Sequence, residues 1–320
     1  MRQNIILAAA LALLAVSCGK DSGQGTPSSG REIRVSPAVT AATRGSQTTA
    51  GLESFDLLVS NPRSPRYSYT NTRLTKGGDG KWSPASPMLW ERPAGEAQEV
   101  DLLALSPALA DGGHSLGDSP IMTFEVEAEQ SAESRRSDLL YFSLGADAVS
   151  WTDTDERKVF NDNKELIVRF SHAMSLLKIE ITLGSEFNHN GVPESNPVSG
   201  LRVGGTVRRA TFQYNGGSCA VTPTGDAAEP VAAYETGWSP AANRDGRCRA
   251  TYECVLVPQT ARLSVSFMVA GIPYRWTGDA ALVMGQSRVL PLTVGRDEVV
   301  AGEMTAQPWT DGGENDIETE

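Results

Sequence analysis

Four sets of side chains in this sequence have the types and spacing that could do chemistry. Cys18 stands directly after Ser17, at the end of an apolar run from Ile5 to Val16 that follows Arg2. The run is too short to span a bilayer and reads as a signal-peptide core. A thiol at that place is the acceptor position of lipoprotein processing, in which the sulfur is acylated and the cysteine becomes the new first residue. Asp153, Asp155, Glu156 and Asp162 crowd one polar stretch, and two positioned carboxylates are what glycoside hydrolysis needs. The segment "DTDERK" lacks the glycine and closing glutamate of a calcium loop, however, and a charge run of this kind is ordinarily a solvated loop. His114, His172 and His189 form no triad pattern with a motif serine, so no catalytic residue is assigned.

The third set is sulfur. With Cys18 acylated, Cys219, Cys248 and Cys254 remain, an odd number for an oxidising compartment. At most one disulfide can form among them, and the spacing does not choose the pair. No CxxC or Cys/His cluster suggests a metal site, and no cofactor is implied. The fourth set is aromatic: Trp82, Trp90, Trp151, Trp238, Trp276 and Trp309 could stack on sugars, but they are dispersed along the chain. A net charge of -11 without a Lys/Arg cluster argues against nucleic acid as a partner.

The elements that position these groups read as strands almost throughout. Phe55, Leu57 and Val59 alternate with polar or outward positions, as do Met122, Phe124 and Val126, then Leu263, Val265, Phe267 and Val269, then Leu290, Leu292 and Val294. Turn clusters such as "KGGDGKW", "ADGGHSLGDSP", "YNGGS" and "GRDE" separate them. No segment sustains a helical period, which predicts an all-β chain of sandwich type. The stretch "RFSHAMSLLKIEITLG" changes phase at His172: Leu166, Val168 and Phe170 precede it, whereas Leu177, Ile179, Ile181 and Leu183 follow one step out of register. A helical turn or bulge there would let one strand leave a sheet and the next enter another, with His172 hydrogen-bonded at the bend. Before the body, residues 19–30 are Gly-, Ser- and Pro-rich and form a tether. "EIRVSPAVT" then places Ile33, Val35 and Val39 in alternation with an edge-type Pro37, followed by the polar linker "AATRGSQTTAG".

Several segments occur together and in order: "DGKWSPASPMLW" with "VDLLALSP", "SDLLYFSLG", "LIVRFSHAMSLLKIEITLG", "VLVPQTARLSVSFMVAGIPYRW", and "VMGQSRVLPLTV" with "MTAQPW". In these the chain resembles the fimbrillin family, subunits and related lipoproteins of type V pili. The resemblance implies two tandem transthyretin-like β-sandwiches. With the boundary at the polar stretch "WTDTDERKVFNDNKE", the chain divides into a signal peptide over 1–17, a lipidated tether over 18–50 whose strand the resemblance makes removable, sandwiches over 51–160 and 161–310, and an acidic tail over 311–320. The resemblance also implies a lipid anchor at Cys18 in the outer membrane, with the chain displayed on the cell surface or pilus. An arginine-specific protease would cut between Arg44 and Gly45 and release the strand of Ile33, Val35 and Val39. Other pilin subunits would then fill the groove by strand exchange. A host or bacterial surface ligand completes the expected partners. The tail "TDGGENDIETE" has one apolar residue, Ile317, and suits a tip, accessory or minor subunit better than a shaft subunit. The alternative function is a stand-alone surface lipoprotein that binds glycans.

Overall fold

The computed structural model describes residues 30–39, 49–96, 98–109, 113–131, 136–145 and 159–309. The strands are β1 (Val35–Val39), β2 (Ser54–Ser60), β3 (Tyr69–Lys76), β4 (Trp82–Pro84), β5 (Asp101–Ser106), β6 (Met122–Glu125), β7 (Leu140–Leu144), β8 (Leu166–His172), β9 (Ser175–Leu183) and β10 (Val198–Gly204). They continue as β11 (Arg209–Asn215), β12 (Ser218–Pro223), β13 (Val231–Ala232), β14 (Tyr234–Ser239), β15 (Cys248–Leu256), β16 (Gln259–Val269), β17 (Ile272–Leu282), β18 (Gln286–Val294), β19 (Val299–Ala301) and β20 (Thr305–Pro308). Among the described residues, helical structure is confined to short 3-10 turns at Pro65–Tyr67 and Ser185–Asn188, so the all-β expectation holds.

A seven-stranded sheet runs in the order β1-β8-β7-β5-β2-β3-β4. Its central strands are buried on both faces. On β2, Phe55, Leu57 and Val59 join one core with Leu102, Leu166, Val168 and Phe170, while Leu58, Leu103 and Leu105 join a second core on the opposite side. Burial on two faces is why "DLLVS" and "DLLALS" read as apolar runs rather than strict alternations. The second core is covered by a three-stranded sheet, β12-β11-β6. Here β6 pairs with β11, Phe124 facing Ala210, so a hairpin from far along the chain closes the early sheet. The remaining strands form a sandwich: β14-β15-β9-β18-β19, with β20 also on β18, faces β13-β10-β16-β17. Leu263, Val265, Phe267 and Val269 interdigitate with Leu177, Ile179, Leu290 and Leu292 in its core.

The phase change at His172 now has its physical cause. Leu166–His172 is hydrogen-bonded in the seven-stranded sheet, whereas Ser175–Leu183 lies between β15 and β18 in the other sheet. The chain crosses from one to the other in a two-residue bend, Ala173–Met174, both residues fully buried. A helical turn is not used. The bend is tied on both sides: Ala173 N–H donates to the Leu139 carbonyl (2.7 Å) and Gly285 N–H to the Met174 carbonyl (3.0 Å). Gly285 sits at φ +69°, which favours glycine, and a Cβ there would stand a tight 3.3 Å from the His172 carbonyl.

Candidate functional site

The sequence places the functional element at Ile33–Val39, and the structure gives it a defined seat. β1 is an edge strand, added in parallel to β8 with Val35 opposite Leu166 and Val39 opposite Phe170. The Arg34 carbonyl accepts from Leu166 N–H (2.8 Å), so even-numbered residues face β8. Pro37 therefore turns its missing N–H to the outer edge, where no ladder bond is lost. Val39 N–H also points outward and donates to Thr49 Oγ1 (2.8 Å), which joins the two ends of the 40–48 linker.

Side chains hold β1 in addition to its ladder. Ile33 is 2% exposed and Val35 5% exposed. Both enter the core that contains Leu52, Trp90, Phe160 and Phe170. Full burial of such a side chain contributes about 1.5–3 kcal/mol. The preceding residues pair antiparallel with a loop, Glu32 opposite Leu89: Ile33 N–H donates to the Met88 carbonyl, and Trp90 N–H to the Arg31 carbonyl. Arg31 returns a fork to the Trp90 carbonyl, bonds Tyr67 Oη and lies 5.1 Å from that ring's centre. Arg34 donates to the Asn163 carbonyl. Both arginines are thus engaged with the fold. Beyond β1 lies an open cleft of about 560 Å³, with Trp82, Asp79, Lys76 and Lys81 lining it beside Val35 and Pro37. Strands β1 and β4 are the two edges of the same sheet, so the sheet curls until its edges face one cleft.

Tyr67, which receives Arg31, sits on a loop pinned by a carboxylate. Glu91 accepts from Asn61 Nδ2 (2.9 Å) and Ser64 Oγ (2.7 Å), and these bonds hold its carboxyl below the ordinary glutamate range. A lowered folded-state value means that the unfolded chain binds the proton more readily. The stabilisation is complete above the ordinary value and is lost as pH falls through the folded one. We expect the amide protection factors over 61–68, taken relative to the unstructured exchange rate at each pH, to fall on acidification across that window, and Glu91→Gln to remove that fall. An unchanged profile in the variant would show that another group titrates.

The remaining chemistry-bearing residues stay apart. Cys18, Arg44, Gly45, Trp151, Asp153, Asp155 and Glu156 lie outside the described residues; Asp162 is exposed. Cys219, Cys248 and Cys254 are free thiols. Burial pushes Cys219 up to about 11 and raises Cys254 further still. His114 lies near Asp118, and His189 near the Glu186 carbonyl. His172 is buried at the bend, its Nδ1 2.9 Å from Asp138 Oδ1 and its ring stacked on Trp309 at 4.0 Å and 11°. Trp90 and Trp309 are core residues, while Trp82, Trp238 and Trp276 are half-buried against the cores. No cluster of three metal-ligating side chains occurs among the described residues.

Sequence reasoning missed two buried polar anchors. Asp56, fully buried, accepts from Leu109 N–H, Asn71 Nδ2 and Arg73 Nε. Gln130 pairs its amide with both the N–H and the carbonyl of Val255, at 2.8 Å each, and so ties the early chain to β15. An aspartate inside an apolar strand, "FDLLV", was the one visible signal of the first; Gln130 carries none.

The geometry defines an all-β protein whose N-terminal segment is an edge strand seated in a core built by the rest of the chain. Comparison with known proteins makes this specific. The fimbrillin-like family model matches residues 35–309, and the chain belongs to that family. It is a family of structural and adhesive proteins, not of enzymes. A candidate cell adhesion protein from Bacteroides uniformis superposes with a TM-score of 0.54 at 17% identity, over 89% of this chain and 100% of that one. One from Bacteroides ovatus gives 0.60 at 12% identity, over 88% and 99%. The tip fimbrial protein Mfa3 from Porphyromonas gingivalis, with C-terminal truncation, gives 0.48 at 8%, over 87% and 100%. No curated protein matches the sequence.

Proposed function

We propose that this chain is a cell-surface structural and adhesive subunit of a type V pilus, lipid-anchored to the outer membrane through Cys18. In this reading an arginine-specific protease cuts between Arg44 and Gly45, β1 leaves, and a strand from a neighbouring subunit takes its place. The observation that carries the reading is the seat of β1. It is an edge strand whose two deepest side chains, Ile33 and Val35, complete a core made otherwise by residues 52–170, and losing it would uncover both a strand edge and apolar surface. The family membership and the likeness in fold to candidate adhesion proteins support a surface location.

A tip, accessory or minor position is supported by the seat of β20. Strand β20 is hydrogen-bonded to β18, and Trp309 behind it is buried against His172. A strand β20 anchored in its own fold suits a subunit that accepts a strand rather than one that donates this one. The test is the intact mass and oligomeric state of the purified chain before and after digestion with an arginine-specific protease. A single cut after Arg44 with loss of β1 is expected, abolished by Arg44→Gln. A cleaved chain that binds another subunit's strand without forming homopolymers fits the accessory position, and homopolymers would move it to the shaft. Retention of β1 after the cut would sink the strand-exchange reading and favour a stand-alone surface protein.

A further inference from the structure

The sandwich formed by the later strands leaves one long edge open. Strand β17 pairs with β16 through an unbroken ladder, from Gln259 opposite Leu282 to Val269 opposite Ile272. Its other edge has no backbone partner among the described residues. Within this sandwich the other edge strands are short or bulged: β13 has two residues, β19 three and β20 four, and β14 carries a bulge between Glu235 and Gly237. β17 has eleven residues and no bulge. Such an edge is a template for another strand.

Its sequence answers itself. Read antiparallel to a second copy about Thr277, the strand "PYRWTGDAA" sets Arg275 opposite the partner's Asp279, and Asp279 opposite the partner's Arg275. The same register sets Trp276 against Gly278, Tyr274 against Ala280, and Thr277 against Thr277. From Pro273 to Ala281 each bulky residue meets a small one and each charge meets its opposite, on both sides of the axis. The faces agree with this pairing. Tyr274, Trp276, Gly278 and Ala280 point toward the core, while Arg275, Thr277 and Asp279 are exposed. Among the described residues Asp279 pairs with Arg262 at 4.0 Å, with both side chains at least 72% exposed, and Arg275 donates to Ser264 Oγ. Both charges are free to turn to a partner. Gly278, a weak choice for an edge strand, is covered by the Trp276 indole, which would lie 2.3 Å from any Cβ placed there. Exposed Ile272 falls opposite Leu282 in the same register, and Val300, half exposed, lies on β19 beside this edge.

We propose that β17 is a homotypic interface, at which two copies of this chain join their four-stranded sheets into one continuous eight-stranded sheet about a two-fold axis at Thr277. The inference does not depend on cleavage or on β1. Sedimentation equilibrium of the full chain tests it. Dimerisation that rises with concentration is expected, weakened roughly tenfold or more by Asp279→Arg or Arg275→Asp, each of which creates two like-charge pairs across the axis. The double variant R275D/D279R restores the opposite pairing and should recover association. All three changes sit on an exposed edge, so folding, followed by circular dichroism, serves as the control. As a positional check, T277C places the two thiols in directly opposed positions about 5 Å apart between Cα atoms, and mild oxidation should give a covalent dimer that the unaltered chain does not form. A chain that stays monomeric at all concentrations would overturn the proposal and assign Arg275 and Asp279 to keeping the edge unpaired. A dimer indifferent to the charge changes would overturn it by placing the contact elsewhere.

Discussion

Ile33→Ala is expected to lower the unfolding free energy by about 2–5 kcal/mol, the range for truncating a large aliphatic side chain in a closed core. Ile33 is 2% exposed and meets residues from several parts of the chain, so the site cannot collapse around a small replacement. The more informative readout is the strand itself. In a chain cut in the 40–48 linker, β1 is held by non-covalent contacts alone, and the same loss of free energy becomes a loss of affinity. At a factor of ten for each 1.4 kcal/mol, release of the strand should be favoured by roughly 30-fold to more than a thousandfold. Denaturant unfolding of the uncut chain and mass spectrometry of the cut one measure the two effects separately. Ser36→Ala, on the same strand but half-buried, should change neither by much. If Ile33→Ala were neutral in both, β1 would be a passenger on β8 rather than part of the core.

Trp309→Ala is expected to cost about 3–5 kcal/mol. The indole is 4% exposed and stacked face to face on His172, and the residue is placed by its backbone N–H donating to the Gly285 carbonyl. Three distant segments meet there: Asp138 before β7, His172 at the crossing between sheets, and Trp309 after β20. His172→Ala removes a buried hydrogen bond to Asp138 and should cost about 1–3 kcal/mol by that route. The two changes share one contact, so the double variant should fall short of the sum by about 0.5–1.5 kcal/mol, the extra value of a ring pair beyond its buried area. Faster proteolysis within 301–309 in Trp309→Ala would show that the stack is what keeps β20 on β18. Additive losses would separate the tryptophan from the histidine and leave β20 held by its ladder alone.

These two sites mark the division between what the chain order could specify and what it could not. Short-range patterning identified the strands, because period-two alternation at Leu263–Val269 or Leu290–Val294 reports one buried face whatever lies across from it. It also located β1, since Ile33, Val35 and Val39 alternate between two polar linkers, and Pro37 is tolerated only where no ladder bond is needed. The phase slip at His172 was legible for the same reason: a change of sheet reverses which parity is buried. The ordered set of segments from "DGKWSPASPMLW" to "MTAQPW" was enough to point to the fimbrillin family, which the match over 35–309 establishes.

Tertiary structure decided everything that depends on which surfaces meet. Nothing local in "ATFQYNGGSCAVTP" says that β11 and β12 will leave the later sandwich and cover the early sheet beside β6, because that pairing joins residues more than eighty positions apart. Asp56 and Gln130 look like misplaced polar residues until Leu109, Arg73 and Val255 come to them. The stack of Trp309 on His172 and the open edge of β17 arise in the same way. Alternation fixes which side of a strand is apolar, but the choice of neighbour is set by long-range packing and by the hydrogen bonds that buried polar groups must find.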